Sequence, residues 1–322
     1  MRRAAALAFV PLLAAVALAG CGSSSSSKPA ASASATADTY KSVTVSGTFN
    51  KAPTVTIPKV KGSGPLYTKT LIQGSGAKLT SSDGMIGNYV AYDWSGTTSK
   101  LLGSSYTQGA PSLFVGQLLP GLEKALVGQK LGSRVLAVIP PADGFGTQGS
   151  SQAGIGPNDT LVFVVDMNST FATGSVPGTQ TSNVGGTLPT VTPPAAGSTA
   201  GPTIKIPAKT NPPATLQVKT LIKGKGAVVK KGQDIAVQYT GVNWRTGKVF
   251  DSSWARHTPF TTVIGAGQVI PGWDTGLVGQ TVGSRVLLVI PPKDGYGSAG
   301  SSQAGIKGTD TLVFVIDILA AS

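Results

Sequence analysis

The chain has 322 residues, room for about two domains of ordinary size. Glycine at 43 and proline at 22, with only 12% charged residues, mean many turns and exclude a helical bundle. Lysine and arginine number 26 against 13 acids, a net +13, but the bases are scattered, with no arginine-rich stripe and no aromatic RNA signature. Nucleic acid is therefore not an expected partner; an anionic membrane or cell wall, or plain solubility, accounts for the charge.

In chain order, Arg2 and Arg3 precede an apolar stretch from Ala4 to Ala19, broken by Pro11. It is shorter than the roughly 20 apolar residues of a membrane span and reads as a secretory signal over residues 1–20. Its end, Leu18-Ala19-Gly20-Cys21, resembles the lipobox of bacterial lipoproteins, in which the cysteine is lipidated and becomes the new N-terminus. The alternative is an ordinary signal peptide followed by a chance cysteine. Cys21 is the single cysteine of the chain, so an internal disulfide framework is excluded. A lipidated Cys21 implies anchoring at the extracytoplasmic face of a cell membrane. Residues 21–44 are poor in large apolar groups and read as a flexible low-complexity tether.

Two copies of one domain follow, at 45–173 and 203–322, separated by a Gly/Pro/Thr-rich linker at 174–202. "VGQKLGSRVLAVIPPADGFGTQGSSQAGI" recurs as "VGQTVGSRVLLVIPPKDGYGSAGSSQAGI", and both Arg134/Arg285 and Phe163/Phe314 stand 151 apart. Strand periodicity dominates the second copy. Leu216, Val218 and Thr220 alternate, as do Ile235, Val237 and Tyr239, while "RVLLVI" and "TLVFVIDIL" are β-branched runs bounded by Gly, Pro and Asp. The one helix expected is "PGWDTGLVG", opened by Pro271 and closed by Gly279. The class is α+β, an antiparallel sheet covering a short helix.

"VQYTG", "GKVFDSSW", "TPF", "GQVIPGWDTGL", "VGSRVLLVIPP", "DGYG" and "TLVFVIDIL" occur in the order and near spacing of the FKBP-type peptidyl-prolyl isomerases, which the second copy closely resembles. The resemblance implies two FKBP-like domains, each a half-barrel sheet wrapped on a short helix, with a shallow apolar pocket for a prolyl ring or a macrolide inhibitor. It implies pocket walls from Tyr239, Phe250, Phe260, Val269, Ile306 and Phe314, with Trp273 as the floor. Asp251, the Tyr296 hydroxyl and the Ile270 backbone N–H are the implied polar groups, and Arg256 the partner of Asp251. On residue type alone each aromatic is as well explained by core packing. An acid directly after a core phenylalanine in "FDSS" is harder to dismiss, because a buried acid needs a partner.

Such a pocket is chemically adequate for proline isomerisation. The X–Pro bond turns over tens to hundreds of seconds because twisting it breaks amide resonance, a barrier of roughly 18–20 kcal/mol. No other bond is made or broken, so neither nucleophile, cofactor nor metal is expected. The twisted amide has the less polar carbonyl and is favoured by an apolar cavity. His257 is the single histidine, which excludes multi-histidine metal sites, and beside Arg256 on an expected loop it reads as solvent-exposed.

In the first copy the pocket is expected to be eroded. Tyr92 is aligned with Tyr239, and Ile155 and Phe163 with Ile306 and Phe314, but Leu102 and Gly103 replace Phe250 and Asp251. Leu122 replaces Trp273, Phe145 replaces Tyr296, and "GAGQ" shortens to "GQ" at Gly116–Gln117. The expected function is an isomerase that helps exported proteins fold, with only the second domain catalytic. The alternatives are a lipoprotein that binds proline-bearing chains without turnover and a structural envelope protein.

Overall fold

A computed structural model of the chain describes residues 38–116, 118–195 and 198–322. The signal segment, Cys21 and most of the tether lie outside the described residues. The first unit comprises β1 (Thr44–Ser46), β2 (Thr54–Thr56), β3 (Tyr67–Ile72), β4 (Asp83–Ser95), β5 (Thr98–Ser104), α1 (Ser105–Gln108), β6 (Ser112–Phe114), α2 (Pro120–Leu126), β7 (Arg134–Ile139) and β8 (Thr160–Ala172). The second comprises β9 (Thr190–Thr192), β10 (Thr203–Lys205), β11 (Gln217–Ile222), β12 (Asp234–Asn243), β13 (Val249–Ser252), β14 (Phe260–Val263), α3 (Pro271–Leu277), β15 (Arg285–Ile290) and β16 (Leu312–Ala321).

Each unit builds a six-stranded antiparallel sheet of one topology. The order is β3-β7-β8-β4-β5 with β6 also on β4, and β11-β15-β16-β12-β13 with β14 also on β12. Even the ladder irregularity recurs, between Ile86 and Gly87 on β4 and between Ala236 and Val237 on β12. The α+β, two-domain architecture is thus what the chain adopts.

One face of each sheet packs on its short helix. In the second unit Ile235, Val237, Leu277, Leu288, Ile290 and Ile316 form the core, all with no exposure. Glycine lets the helix approach: a Cβ on Gly272 would sit 2.6 Å from Ile290 Cγ2, and one on Gly276 2.7 Å from Leu288 Cδ2. The first unit solves the second contact differently, placing Ala125 on the helix against Ala137 on β7, both with no exposure.

The opposite face of each sheet is covered by the segment that precedes it. Tyr40, Val43, Val45 and Val55 lie over Leu136, Val138, Val162 and Val164 of the first sheet. Val191, Ile204 and Ile206 lie over Leu287, Val289, Val313 and Val315 of the second. The two straps are equivalent. Val45 pairs with Val55 and Val191 with Ile204, and Trp94 and Trp244 donate their indole N–H to the Val60 and Thr210 carbonyls at 3.0 and 3.2 Å.

The reading of 174–202 as a mere linker is therefore corrected. Val176 and Val191 in it are 7% and 0% exposed, and it carries β9. Gly178, Gly185 and Gly186 take positive φ in it, bending a strap whose few aliphatic residues are spaced to reach the sheet. Likewise the tether does not extend to residue 44, because Tyr40 and Val43 are already buried. The units meet where Ile86, Leu113 and Phe171 pack on Val176, Ile222, Ala236, Leu319 and Ala320. Among the described residues no helix is long and apolar enough to cross a membrane.

Candidate active site

Strand alternation on β12 directs Val237, Tyr239 and Gly241 to the helix side of the second sheet. Gly241 makes room there, since a Cβ on it would stand 2.7 Å from Phe250 and 2.8 Å from Phe314. Those two rings meet edge-to-face with centroids 5.5 Å apart. Trp273 enters from the first turn of α3, which Pro271 opens, and lies edge-on to Tyr239 at 5.2 Å and to Phe314 at 5.3 Å. Phe260 on β14 closes the group, 5.9 Å from Tyr239 and 6.1 Å from Trp273. Val269 and Ile270 before α3 pack on the same cluster. So does Ile306, fixed by reciprocal backbone bonds with Ser301 at 2.8 and 2.9 Å. The result is a cup of aromatic and aliphatic groups.

Its polar edge is compact. Tyr239 donates its hydroxyl proton to Asp251 Oδ2, Arg256 donates from one terminal nitrogen to Asp251 Oδ1, and its other terminal nitrogen donates to the Tyr239 oxygen at 2.9 Å. The guanidinium carbon also stands 5.7 Å from the Tyr239 ring centre, within cation–π range. Burial, followed by the hydrogen bond to Asp251, pushes the Tyr239 hydroxyl well above its ordinary range, so it remains a donor at any working pH. The Asp251 and Arg256 side chains are 39% and 50% exposed, so the ion pair is open to solvent on one side. Tyr296 stands at the rim, 42% exposed; partial burial and then the Asp251 charge raise its hydroxyl pKa.

Ile270 caps α3 in extended conformation (φ −60°, ψ 144°), and its carbonyl accepts the Trp273 N–H at 2.9 Å. Its own N–H makes no backbone hydrogen bond among the described residues. Asp274 holds the preceding loop, accepting the Gly265 and Gly267 N–H groups at 2.6 and 2.8 Å. All eleven residues expected at the site thus converge on one cup and its rim. Two contributors escaped sequence reading. Ser253, fully buried, accepts the Tyr239 N–H at 2.8 Å and donates to Gln238, so it sets the strand that carries Tyr239. Asp274 was the other; an acid in the first turn of a short helix after a glycine-rich loop was its signal.

The first unit corrects one alignment. Tyr89, not Tyr92, stands in the place of Tyr239: Tyr89 pairs with Val165 as Tyr239 pairs with Ile316, and those partners are 151 apart like the rest of the repeat. Tyr89 meets Phe163 at 6.5 Å and makes the same serine contact, its N–H donating to Ser105 Oγ at 2.9 Å. Tyr92, three residues on, faces the strap side, because an odd step along a strand changes faces.

Gly103 pairs with Ala91 as Asp251 pairs with Gly241, so the acid is absent from its position. Leu102, Leu122, Phe145, Ile155 and Phe163 line the equivalent core. By ladder position Ser112 replaces Phe260; Phe114, two residues on, meets Tyr89 edge-on at 5.9 Å instead.

The family model of the FKBP-type peptidyl-prolyl cis-trans isomerases matches residues 81–168 and 226–319. The chain belongs to this family and carries its domain twice. Among curated relatives, an FK506-binding protein of Streptomyces anulatus is 46% identical over 109 residues, 34% of this chain and 88% of the relative. A probable FK506-binding protein of Corynebacterium glutamicum is 40% identical over 109 residues, again 34% of this chain and 89% of the relative. The crystal structure of AtFKBP13 is 35% identical, covering 34% of this chain and 96% of that one, at a TM-score of 0.32. The protein is accordingly a peptidyl-prolyl isomerase.

Proposed function

We propose that catalysis resides in the second domain, residues 203–322, and that the first, residues 45–173, binds without turning over. The supporting observation is the Asp251–Arg256–Tyr239 network beside Trp273, against Gly103 and Leu122 in the first unit. In this reading Trp273 is the floor under the prolyl ring. The Ile270 N–H holds the substrate carbonyl beyond the proline and fixes the chain in a turn. Asp251 and Tyr296 meet the carbonyl that rotates, and Arg256 orients Asp251. The apolar walls favour the twisted amide over the planar one.

With full-length protein and a proline tetrapeptide, Trp273→Leu or Asp251→Ala lowers kcat/KM by about tenfold or more, a barrier rise of at least ~1.4 kcal/mol. Leu122→Ala changes it by less than about twofold. Similar losses from the two domains would sink the assignment. Relatives named for FK506 support a further expectation, that a macrolide of that kind occupies the second cup and inhibits the enzyme.

The same reading places the enzyme at the extracytoplasmic face, anchored through lipidated Cys21, where exported chains with non-native X–Pro bonds are the clients. The support is Leu18-Ala19-Gly20-Cys21 after an apolar segment. Cys21→Ser is expected to move the protein from the membrane to the soluble fraction; retention on the membrane contradicts a lipid anchor.

A further inference from the structure

The chain that joins the units runs behind the proposed catalytic cup with no slack. Thr173 directly follows Ala172, the end of β8, and the first unit holds it: its hydroxyl donates to the Ser82 carbonyl at 2.7 Å. Its own carbonyl accepts Gln238 Nε2 at 2.9 Å. A little further on, Val176 donates its N–H to Asp317 Oδ2 at 2.9 Å, and Asp317 faces Gln238 across the β12–β16 ladder. Between Thr173 and Val176 the junction is thereby pinned to both units.

Gln238 is 4% exposed, and both ends of its carboxamide are engaged. A carbonyl only accepts, so the nitrogen faces Thr173 and the oxygen takes the Ser253 hydroxyl proton. Ser253 Oγ in turn accepts the Tyr239 N–H at 2.8 Å. Every donor points from Tyr239 toward Ser82, the arrangement in which successive bonds polarise one another. The loop that bears Arg256 has the same neighbour behind it. A Cβ on Gly116 would lie 2.9 Å from Thr258 Cγ2, so the first unit's backbone rests against that loop. The first unit closes the equivalent series on itself. Asn88, paired with Asp166 as Gln238 is with Asp317, takes the Ser105 proton at 3.0 Å and donates to Asn50 Oδ1 of its own strap at 3.1 Å. In the second copy the series ends on the neighbouring unit instead.

We propose that Gln238 is a positioning residue of the isomerase, through which the first unit fixes the strand that carries Tyr239 and, with it, the Asp251–Arg256 pair. The proposal rests on the second cup being the catalytic one. It gives the first unit a part in the reaction that its own eroded cup does not. In that reading Asp251 meets the rotating carbonyl, so looser placement weakens transition-state contacts more than binding. The loss therefore falls on kcat rather than on KM.

Two full-length variants, Thr173→Val and Gln238→Leu, test this with a proline tetrapeptide and with 15N labelling at tyrosine, of which the chain has seven. Thr173→Val keeps the branched shape and the carbonyl and removes only the bond to Ser82. It is expected to lower kcat about threefold, the worth of one ordinary hydrogen bond, with KM changed by less than about twofold. The Tyr239 amide should shift, while the Tyr89 amide, bonded to Ser105 in the other unit, stays in place. Gln238→Leu is expected to lower kcat about tenfold, and Thr173→Val to add nothing to it in the double variant. An unmoved Tyr239 amide and an unchanged kcat in Thr173→Val overturn the proposal, whatever Gln238→Leu does to folding. Losses that multiply in the double variant overturn it too, since the two bonds would then act separately. Trp273→Leu runs alongside. If it leaves kcat/KM unchanged the cup reading fails; if it is costly while Thr173→Val changes nothing, the relay alone fails.

Discussion

Asp93 and Asn243 occupy one place in the two units and solve it oppositely. In the second unit Asn243 donates to Asp310 Oδ2 at 2.7 Å, and Arg245 grips the same carboxylate at 2.7 and 2.9 Å, holding its pKa well below the usual range. The first unit replaces Asn243 by Asp93 and Arg245 by Ser95, leaving two carboxyl groups, Asp93 and Asp159, face to face. Burial, then the Asp159 charge and hydrogen bond, push Asp93 up to about 6, with Lys100 opposing.

The folded state thus holds a proton that the unfolded state releases near pH 4, so stability falls as pH rises from about 4 to about 6 and is level above. The loss is on the order of 1–3 kcal/mol for a group only 6% exposed. Asp93→Asn restores the donor and should flatten the profile, raising the melting temperature at pH 7.5 but not at pH 4.5. A parallel shift at both would contradict proton sharing. None of this was visible from one copy of the sequence; it emerges only when the register aligns the two.

Between helix and sheet, the two units trade volume across a single contact. Gly276 faces Leu288, and Ala125 faces Ala137. Gly276→Ala alone presses its methyl into Leu288 and should cost about 1–3 kcal/mol. Added to Leu288→Ala, the same change fills space instead of competing for it, so the pair should be non-additive by at least ~0.5 kcal/mol in a denaturation cycle. Additive effects would mean that the helix simply shifts.

At this scale the sequence was informative for strands and helix, since β-branched runs and the Pro271-to-Gly279 frame carry their own signals. It misled at β4, where Asn88-Tyr89-Val90-Ala91-Tyr92 offers two tyrosines and only the ladder decides which one faces the helix. The aromatics of the second unit's cup were legible because they cluster in short motifs. Ser253 was not, because its role depends on Gln238 and Tyr239 lying across a strand pair.

Over the whole molecule, the segment with the least persuasive composition turns out to be built into the fold. Glycine, proline and threonine in 174–202 suggested slack chain, yet Val191 is fully buried against the back of the second sheet. Val191→Asp would bury an unpaired charge and should cost about 3 kcal/mol or more, read as a fall in melting temperature. Limited proteolysis should spare β9 and β10 in the native chain and cut there in the variant; early cutting within either strand of the native chain would show the strap to be loose. Hydropathy windows miss such a segment because its few aliphatic residues are separated by bends, and their common destination exists only once the sheet is formed.

Because strap and sheet travel together, the duplicated piece runs from about residue 40 rather than from the start of the recognisable motifs, and each copy arrives with its own back cover. A chain assembled from such pieces can be lengthened by whole copies without baring a greasy surface. One copy is then free to drift in its pocket chemistry, as Gly103 in the place of Asp251 shows, while the other keeps its own.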